Sequence, residues 1–194
     1  MAVRVVIAED EAIVRLDLKE TLEEEGFDVV GETGRGDEAV ELVKTHRPEL
    51  VILDIKMPGM DGLSAAREIT TDRLAAVLIL TAFSQRDLIE QARDAGALAY
   101  LVKPFQRTEL FPAIDIALGR FAEMKALEDQ VKDLTERLEV RKVVEKAKGI
   151  LMDADDLSES AAFSWIQRTA MDQRVRMDVI ARRVIDDGLR VTPS

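Results

Sequence analysis

Four short apolar runs within residues 3–102 each lead into a residue with ionisable or hydroxyl chemistry, and this pattern narrows the fold more than any other feature. Val3 to Ala8 runs into Glu9, Asp10 and Glu11, and Leu50 to Leu53 into Asp54. Ala76 to Leu80 runs into Thr81, and Leu98 to Val102 into Lys103 and Pro104. Near-continuous runs of Val, Ile and Leu are the mark of strands buried on both faces of a parallel sheet. Such sheets place their ligands at the carboxyl edge of the strands. Acid, acid, hydroxyl and amine delivered to one edge describe a site for a divalent cation and a phosphoryl group.

Between these runs lie amphipathic stretches. Strands are expected near 3–8, 28–33, 50–54, 76–81 and 98–102, with helices near 11–25, 36–46, 61–71, 84–95 and from 107 onward. Strands alternating with helices of this length imply right-handed crossovers and an α/β, doubly wound, five-stranded parallel sheet over residues 1–119. Turn chemistry agrees: Gly26 follows the first helix, Pro48 stops the second and Gly96 stops the fourth.

Beyond 107 the period changes. Met124, Leu127, Val131, Leu134 and Leu138 repeat at alternating spacings of three and four among charged residues. That predicts a long helix or short coiled coil over 120–139 that pairs with a second copy, the alternative being a helix packed on its own domain. Residues 140–194 read as a small three-helix bundle with helical segments at 140–152, 159–172 and 176–187, the second capped by Ser158.

Composition excludes several classes. Among 194 residues there is no cysteine, so neither disulfides nor thiolate metal sites are available. No run approaches the ~18 apolar residues of a membrane span, and a cytoplasmic protein without membrane contact is expected. The net charge of −11 is uneven. Residues 1–119 hold 13 Lys+Arg against 23 Asp+Glu, and residues 120–194 hold 14 against 15. Nucleic acid is therefore a candidate partner of the second part only. The lone histidine, His46, reads as a surface residue at a helix end.

Glu9-Asp10, Asp54 with the loop Met57-Pro58-x-x-Asp61-Gly62, Thr81-Ala82 and Lys103-Pro104-Phe105 stand in one order. Together they resemble the receiver domain of response regulators of the chemotaxis-regulator type, across the whole of 1–119. The resemblance implies a flavodoxin-like fold, a cis bond before Pro104, and phosphorylation of Asp54 by a sensor histidine kinase. A carboxylate that attacks phosphorus approaches a dianion, so a cation has to neutralise the charge. Mg²⁺ prefers oxygen ligands, which suits Asp10, Asp54 and the backbone carbonyl of Lys56, with Glu9 at the outer edge acting through water. Lys103 is expected to pair with Asp54 and then with phosphoryl oxygens, while Thr81 donates its hydroxyl. Tyr100 is the expected switch, filling the space that opens when Thr81 moves, unless it is simple core. Phe83 and Lys56 are expected to look over the phosphoryl group, with Phe83 shielding it from water.

Arg141 to Met152, Leu157 to Phe163 and Ile166 to Met171 follow a second order, with Ala147-Lys148-Gly149-x-Leu151-Met152 at its centre. Over about 130–190 this resembles the ANTAR domain, an RNA-binding module of transcription antitermination regulators. Five basic residues against two acidic ones between 137 and 148, and the same balance between 165 and 183, provide two phosphate-binding patches. Arg141, Lys142, Lys146, Lys148, Gly149 and Arg168 are the candidate RNA contacts, Gly149 because a glycine inside a helix admits a close neighbour. Trp165 either stacks on a loop base or packs the bundle. The resulting expectation is no enzyme but a phosphorylation-activated antiterminator that dimerises and binds RNA hairpins. A DNA-binding response regulator, or a tail used only for dimerisation or protein binding, are the alternatives.

Overall fold

The β-branched runs form strands β1 (Arg4–Ala8), β2 (Asp28–Thr33), β3 (Leu50–Leu53), β4 (Ala76–Thr81) and β5 (Ala99–Val102). The structure, a computed structural model, describes residues 2–190. All strand pairs are parallel, in the order β2-β1-β3-β4-β5. The crossovers are made by helices α1 (Ala12–Glu24), α2 (Gly36–His46), α3 (Gly62–Thr71) and α4 (Arg86–Asp94), and α5 (Arg107–Asp155) follows β5. Side chains alternate along a strand, so each strand feeds two cores. Val6, Val51, Leu53, Val77 and Ile79 pack with Val40, Val43, Ile69 and Ala92 of α2, α3 and α4. Val5, Ile7, Leu50, Ile52, Leu78 and Leu80 pack with Leu18 and Leu22 of α1 and with Leu110 and Ile114 of α5. This is the doubly wound sheet expected from the sequence. Its order reverses direction at β1 and β3, the place where open α/β sheets bind ligands.

Gly62 shows how tightly the edge is built there. A Cβ at this position would lie 1.8 Å from the Asp54 carbonyl oxygen. Its N–H donates to the Ile55 carbonyl at 2.8 Å. Asp61 caps the helix that follows, accepting from the Ser64 N–H at 2.9 Å.

Helix α5 is continuous for 49 residues. The expected helix over 140–152 is therefore no separate element, and the boundaries read at 119 and 139 fall inside α5. Strong helix formers surround Gly149, and burial of Val144, Ala147 and Leu151 offsets its cost of about 1 kcal/mol. Two compact units divide between Lys125 and Ala126. In the second, the end of α5 packs with α6 (Glu159–Gln173) and α7 (Met177–Asp186) around Leu151, Ile166, Ile180 and Val184. Ser158 caps α6, accepting from the Ala161 N–H at 3.3 Å. Residues 191–194, the end of the expected bundle segment, lie outside the described residues.

Among the described residues the heptad stripe stays exposed. Met124, Leu127, Val131, Leu134 and Leu138 are 41–63% exposed. Among the described residues, no helix is long and apolar enough to cross a membrane.

Two glycines should respond oppositely to a methyl group. Gly62→Ala meets backbone and is expected to lower stability by about 1–3 kcal/mol. Gly149→Ala meets nothing within 4 Å and is expected to raise it by about 0.5–1 kcal/mol. Urea unfolding followed by circular dichroism, with the fluorescence of Trp165 reporting the second unit, measures both.

Candidate functional site

Strand pairing continues past the ends of the strands and gathers the site residues. The Asp54 N–H donates to the Ala8 carbonyl at 2.9 Å, and the Lys103 N–H to the Thr81 carbonyl at 2.8 Å. Glu9, Asp10, Asp54, Thr81 and Lys103 thereby share the carboxyl edge of the sheet. Carboxylate oxygens of Glu9, Asp10 and Asp54 lie within 4.8 Å of one another. Lys103 Nζ donates to Glu9 Oε2 and, at 3.3 Å, to Asp54 Oδ2. Asp54 Oδ1 accepts from the Ile55 N–H at 2.7 Å, so the buried carboxylate is held at both oxygens. The Lys103–Pro104 peptide bond is cis, as the receiver resemblance implies.

Glu9 sits deeper than the sequence suggests. It is 1% exposed and bonds Lys103 directly, whereas Asp10 faces solvent. The direct ion pair with Lys103 is a contact that the sequence reading did not give it. Burial pushes the Glu9 carboxyl above its usual range, against the opposing hydrogen bond from Lys103. Burial alone would lower the Lys103 ammonium, but the bond to Glu9 and the charges of Asp54 and Glu9 outweigh it and hold the group above its ordinary value. Three carboxylates face one ammonium, and the cluster lacks positive charge. Arg15, which the sequence reading missed, donates to the Glu9 carbonyl and braces the start of this loop.

The donor set fits Mg²⁺. Asp10 and Lys56 line one open cleft with Met57 and Asp61, and the Asp10 carboxylate lies within 4.8 Å of those of Glu9 and Asp54. Thr81 Oγ1 is buried and has no hydrogen-bond partner among the described residues. A buried hydroxyl without a partner costs about 1–3 kcal/mol, which marks a place where an acceptor belongs. Tyr100 packs its ring against the core and donates its hydroxyl to the Phe83 carbonyl at 2.6 Å. Burial, then the charge of Asp54, raise its phenol above the usual range. The Lys56 ammonium stands 4.3 Å from the centre of the Phe83 ring.

The basic residues of the second unit sort differently than expected. Arg141, Lys142, Lys146 and Arg168 are exposed, with Lys142 donating to Glu139 at 2.8 Å and Arg168 to the Ser164 carbonyl at 3.4 Å. Lys148 is no open cation. Its side chain is 8% exposed and is clamped by Glu145 at 2.9 Å and Glu159 at 2.7 Å. Among the described residues, nothing outside its own helix backbone lies within 4 Å of a Cβ placed at Gly149, which removes the intramolecular reason for a glycine there. Trp165 is half-buried against the bundle core, and Phe163 on the same helix is exposed.

Residues 5–115 match the response regulator receiver domain and residues 132–185 the ANTAR domain. The chain is 57% identical over 183 residues to the transcriptional regulatory protein PdtaR of Mycobacterium tuberculosis, covering 94% of this chain and 89% of that one. It is 41% identical over 120 residues to the chemotaxis protein CheY of Bacillus subtilis, covering 61% of this chain and 100% of that one. Among solved structures, the signal receiver domain of NarL from Mycobacterium tuberculosis superposes with a TM-score of 0.58 at 36% identity, over 61% of this chain and 98% of that one. The CheX-CheY-BeF3-Mg+2 complex from Borrelia burgdorferi does so with 0.55 at 29%, over 58% and 86%.

Crowded carboxylates should make the site respond to a divalent cation. MgCl₂ at several times its dissociation constant is expected to stabilise the chain by about 1 kcal/mol. Asp10→Asn should raise the unfolding temperature without Mg²⁺ and abolish the increment with it. Thermal unfolding with and without the salt tests this, and an unchanged increment in the variant would remove Asp10 from the ligand set.

Proposed function

We propose that this chain, which belongs to the response regulators in which a receiver domain precedes an ANTAR domain, is a phosphorylation-activated transcription antiterminator that binds RNA hairpins. The observation that carries this reading is the Thr81 hydroxyl, buried and unpartnered on the edge where Asp54 and Lys103 meet. A phosphoryl oxygen is the acceptor it lacks.

In this reading an Asp54 carboxylate oxygen attacks the phosphorus carried by a histidine of a sensor kinase. The new O–P bond forms as the P–N bond breaks, and the imidazole leaves. Asp10, Asp54 and the Lys56 carbonyl would hold Mg²⁺, with Glu9 beside them, and the ion would supply charge neutralisation for the incoming phosphoryl group. Lys103 transfers a hydrogen bond from the carboxylates to a phosphoryl oxygen, and Thr81 donates to another. Tyr100 hydrogen-bonds the carbonyl of Phe83, two residues past Thr81, so a shift of Thr81 is felt in the loop after β4. Phe83, with Lys56 over its ring, limits water access to the acyl phosphate.

Activation then favours a homodimer through the open stripe from Met124 to Leu138, and two bundles engage paired hairpins in the cytoplasm. Two linked sites raise avidity without new contacts, so dimerisation alone switches binding. Arg141, Lys142, Lys146 and Arg168 contribute phosphate contacts.

A small-molecule phosphodonor with Mg²⁺ is expected to add one phosphoryl mass to the chain and none to Asp54→Asn. Beryllofluoride should raise the mass in solution to that of a dimer and strengthen a gel shift of hairpin RNA over duplex DNA. An unaltered mass with the donor, or preference for DNA, overturns the reading; binding to neither nucleic acid leaves only a dimerisation tail. Phe83→Ala is expected to lose the phosphoryl group faster than the parent, measured by release of labelled phosphate.

A further inference from the structure

Phe163 is a large apolar side chain in the wrong place for a bundle residue. It is 41% exposed and takes no part in the core that Trp165, on the same helix, packs against. It shares a cleft with Lys148, Ser158, Glu159 and Ser160, all within the second unit. An exposed aromatic ring at the rim of a polar cleft is suited to stacking.

The charge of the cleft decides what stacks there. All three N–H bonds of the Lys148 ammonium are spent on carboxylate oxygens, two on Glu145 at 2.9 Å each and one on Glu159 Oε1 at 2.7 Å. Lys148 therefore has no donor left for a phosphate. With two glutamates against one lysine, the clamp carries a net negative charge and repels a phosphate oxygen. What Lys148 does instead is hold Glu159 in place while leaving that side chain 70% exposed. The bond from Lys148 also keeps the Glu159 carboxyl below its usual range, so it is an ionised acceptor at neutral pH. A fixed carboxylate beside an open aromatic ring accepts hydrogen bonds from amino groups on the edge of a stacked base. Adenine, cytosine and guanine carry such groups. Uracil offers a single N–H flanked by two carbonyl oxygens, which a carboxylate repels.

We propose that this cleft is a base-reading subsite, in which one unpaired RNA base stacks on Phe163 and presents its amino hydrogens to Glu159. The proposal rests on the RNA-binding reading above and adds to it the position at which sequence is read. Phosphates are bound elsewhere, by the exposed Arg141, Lys142 and Lys146.

Selection from hairpins that share one stem and carry randomised loops tests it, using the full chain with beryllofluoride and Mg²⁺. The parent protein should enrich loops in which one position excludes uracil. Glu159→Gln, whose amide can donate to a uracil carbonyl, should readmit uracil at that position alone. Phe163→Ala should weaken binding of the enriched loops by on the order of 10-fold or more, and Phe163→Tyr should restore it. Lys146→Ala should weaken every loop alike and leave the preference unchanged. The fluorescence of Trp165 during unfolding checks that each variant keeps its bundle. Uracil still excluded by Glu159→Gln, or undiminished affinity in Phe163→Ala, overturns the subsite while leaving RNA binding intact. If the parent enriches no loop at all, the RNA-binding reading fails first.

Discussion

One ammonium shared between buried carboxylates is the interaction on which the receiver unit is organised. Lys103 reaches Glu9 and Asp54 together, across 94 and 49 residues of chain. Without it, two nearly buried acids would repel each other in a medium that screens poorly. With it the cluster is still short of positive charge, because Asp10 adds a third carboxylate. That deficit makes the edge receptive to a divalent cation, and the burial of Glu9 keeps the pair from dissolving into solvent. The sheet order puts β1 next to β3, which is why the acids following those two strands meet at all. Gly62 then lets α3 begin against the Asp54 backbone and closes the loop beside the cluster.

The second unit uses charge in the opposite way. Its buried lysine is oversupplied with acceptors, and the surplus negative charge is presented outward through Glu145 and Glu159. Exposed cations stand on α5, at Arg141, Lys142 and Lys146, and on α6, at Arg168. A near-neutral count of ionisable residues thus conceals a surface divided into separate signs. Helix α5 contributes Leu110 and Ile114 to one core and Val144 and Leu151 to the other. Between those cores its apolar stripe is exposed among the described residues.

Much of the receiver was legible because the relevant signals are local. A β-branched run buried on both sides must be short and parallel, and the residue that ends it must lie at an edge. Asp54, Thr81 and Lys103 could be placed on that ground alone. The direct pairing of Glu9 with Lys103, the brace from Arg15 and the orphaned Thr81 hydroxyl were not legible, since each depends on contacts between distant segments. In the helical tail, periodicity located the faces of the helices, while the boundaries drawn at 119 and 139 fall inside one unbroken helix. Gly149 is a weak interruption when its flanks are buried. The same periodicity could not separate Lys148 from Lys146, or Phe163 from Trp165, although each pair differs in exposure.

From its residues alone this chain determines a parallel sheet with an acidic edge, a heptad helix and an amphipathic bundle, because period and residue type are properties of neighbouring positions. Which carboxylate takes the ammonium, which lysine is spent inside the bundle and which aromatic stays open are decided only by the tertiary structure. Burial and ion pairing depend on the distance between side chains that the sequence keeps far apart, and no local pattern encodes that distance.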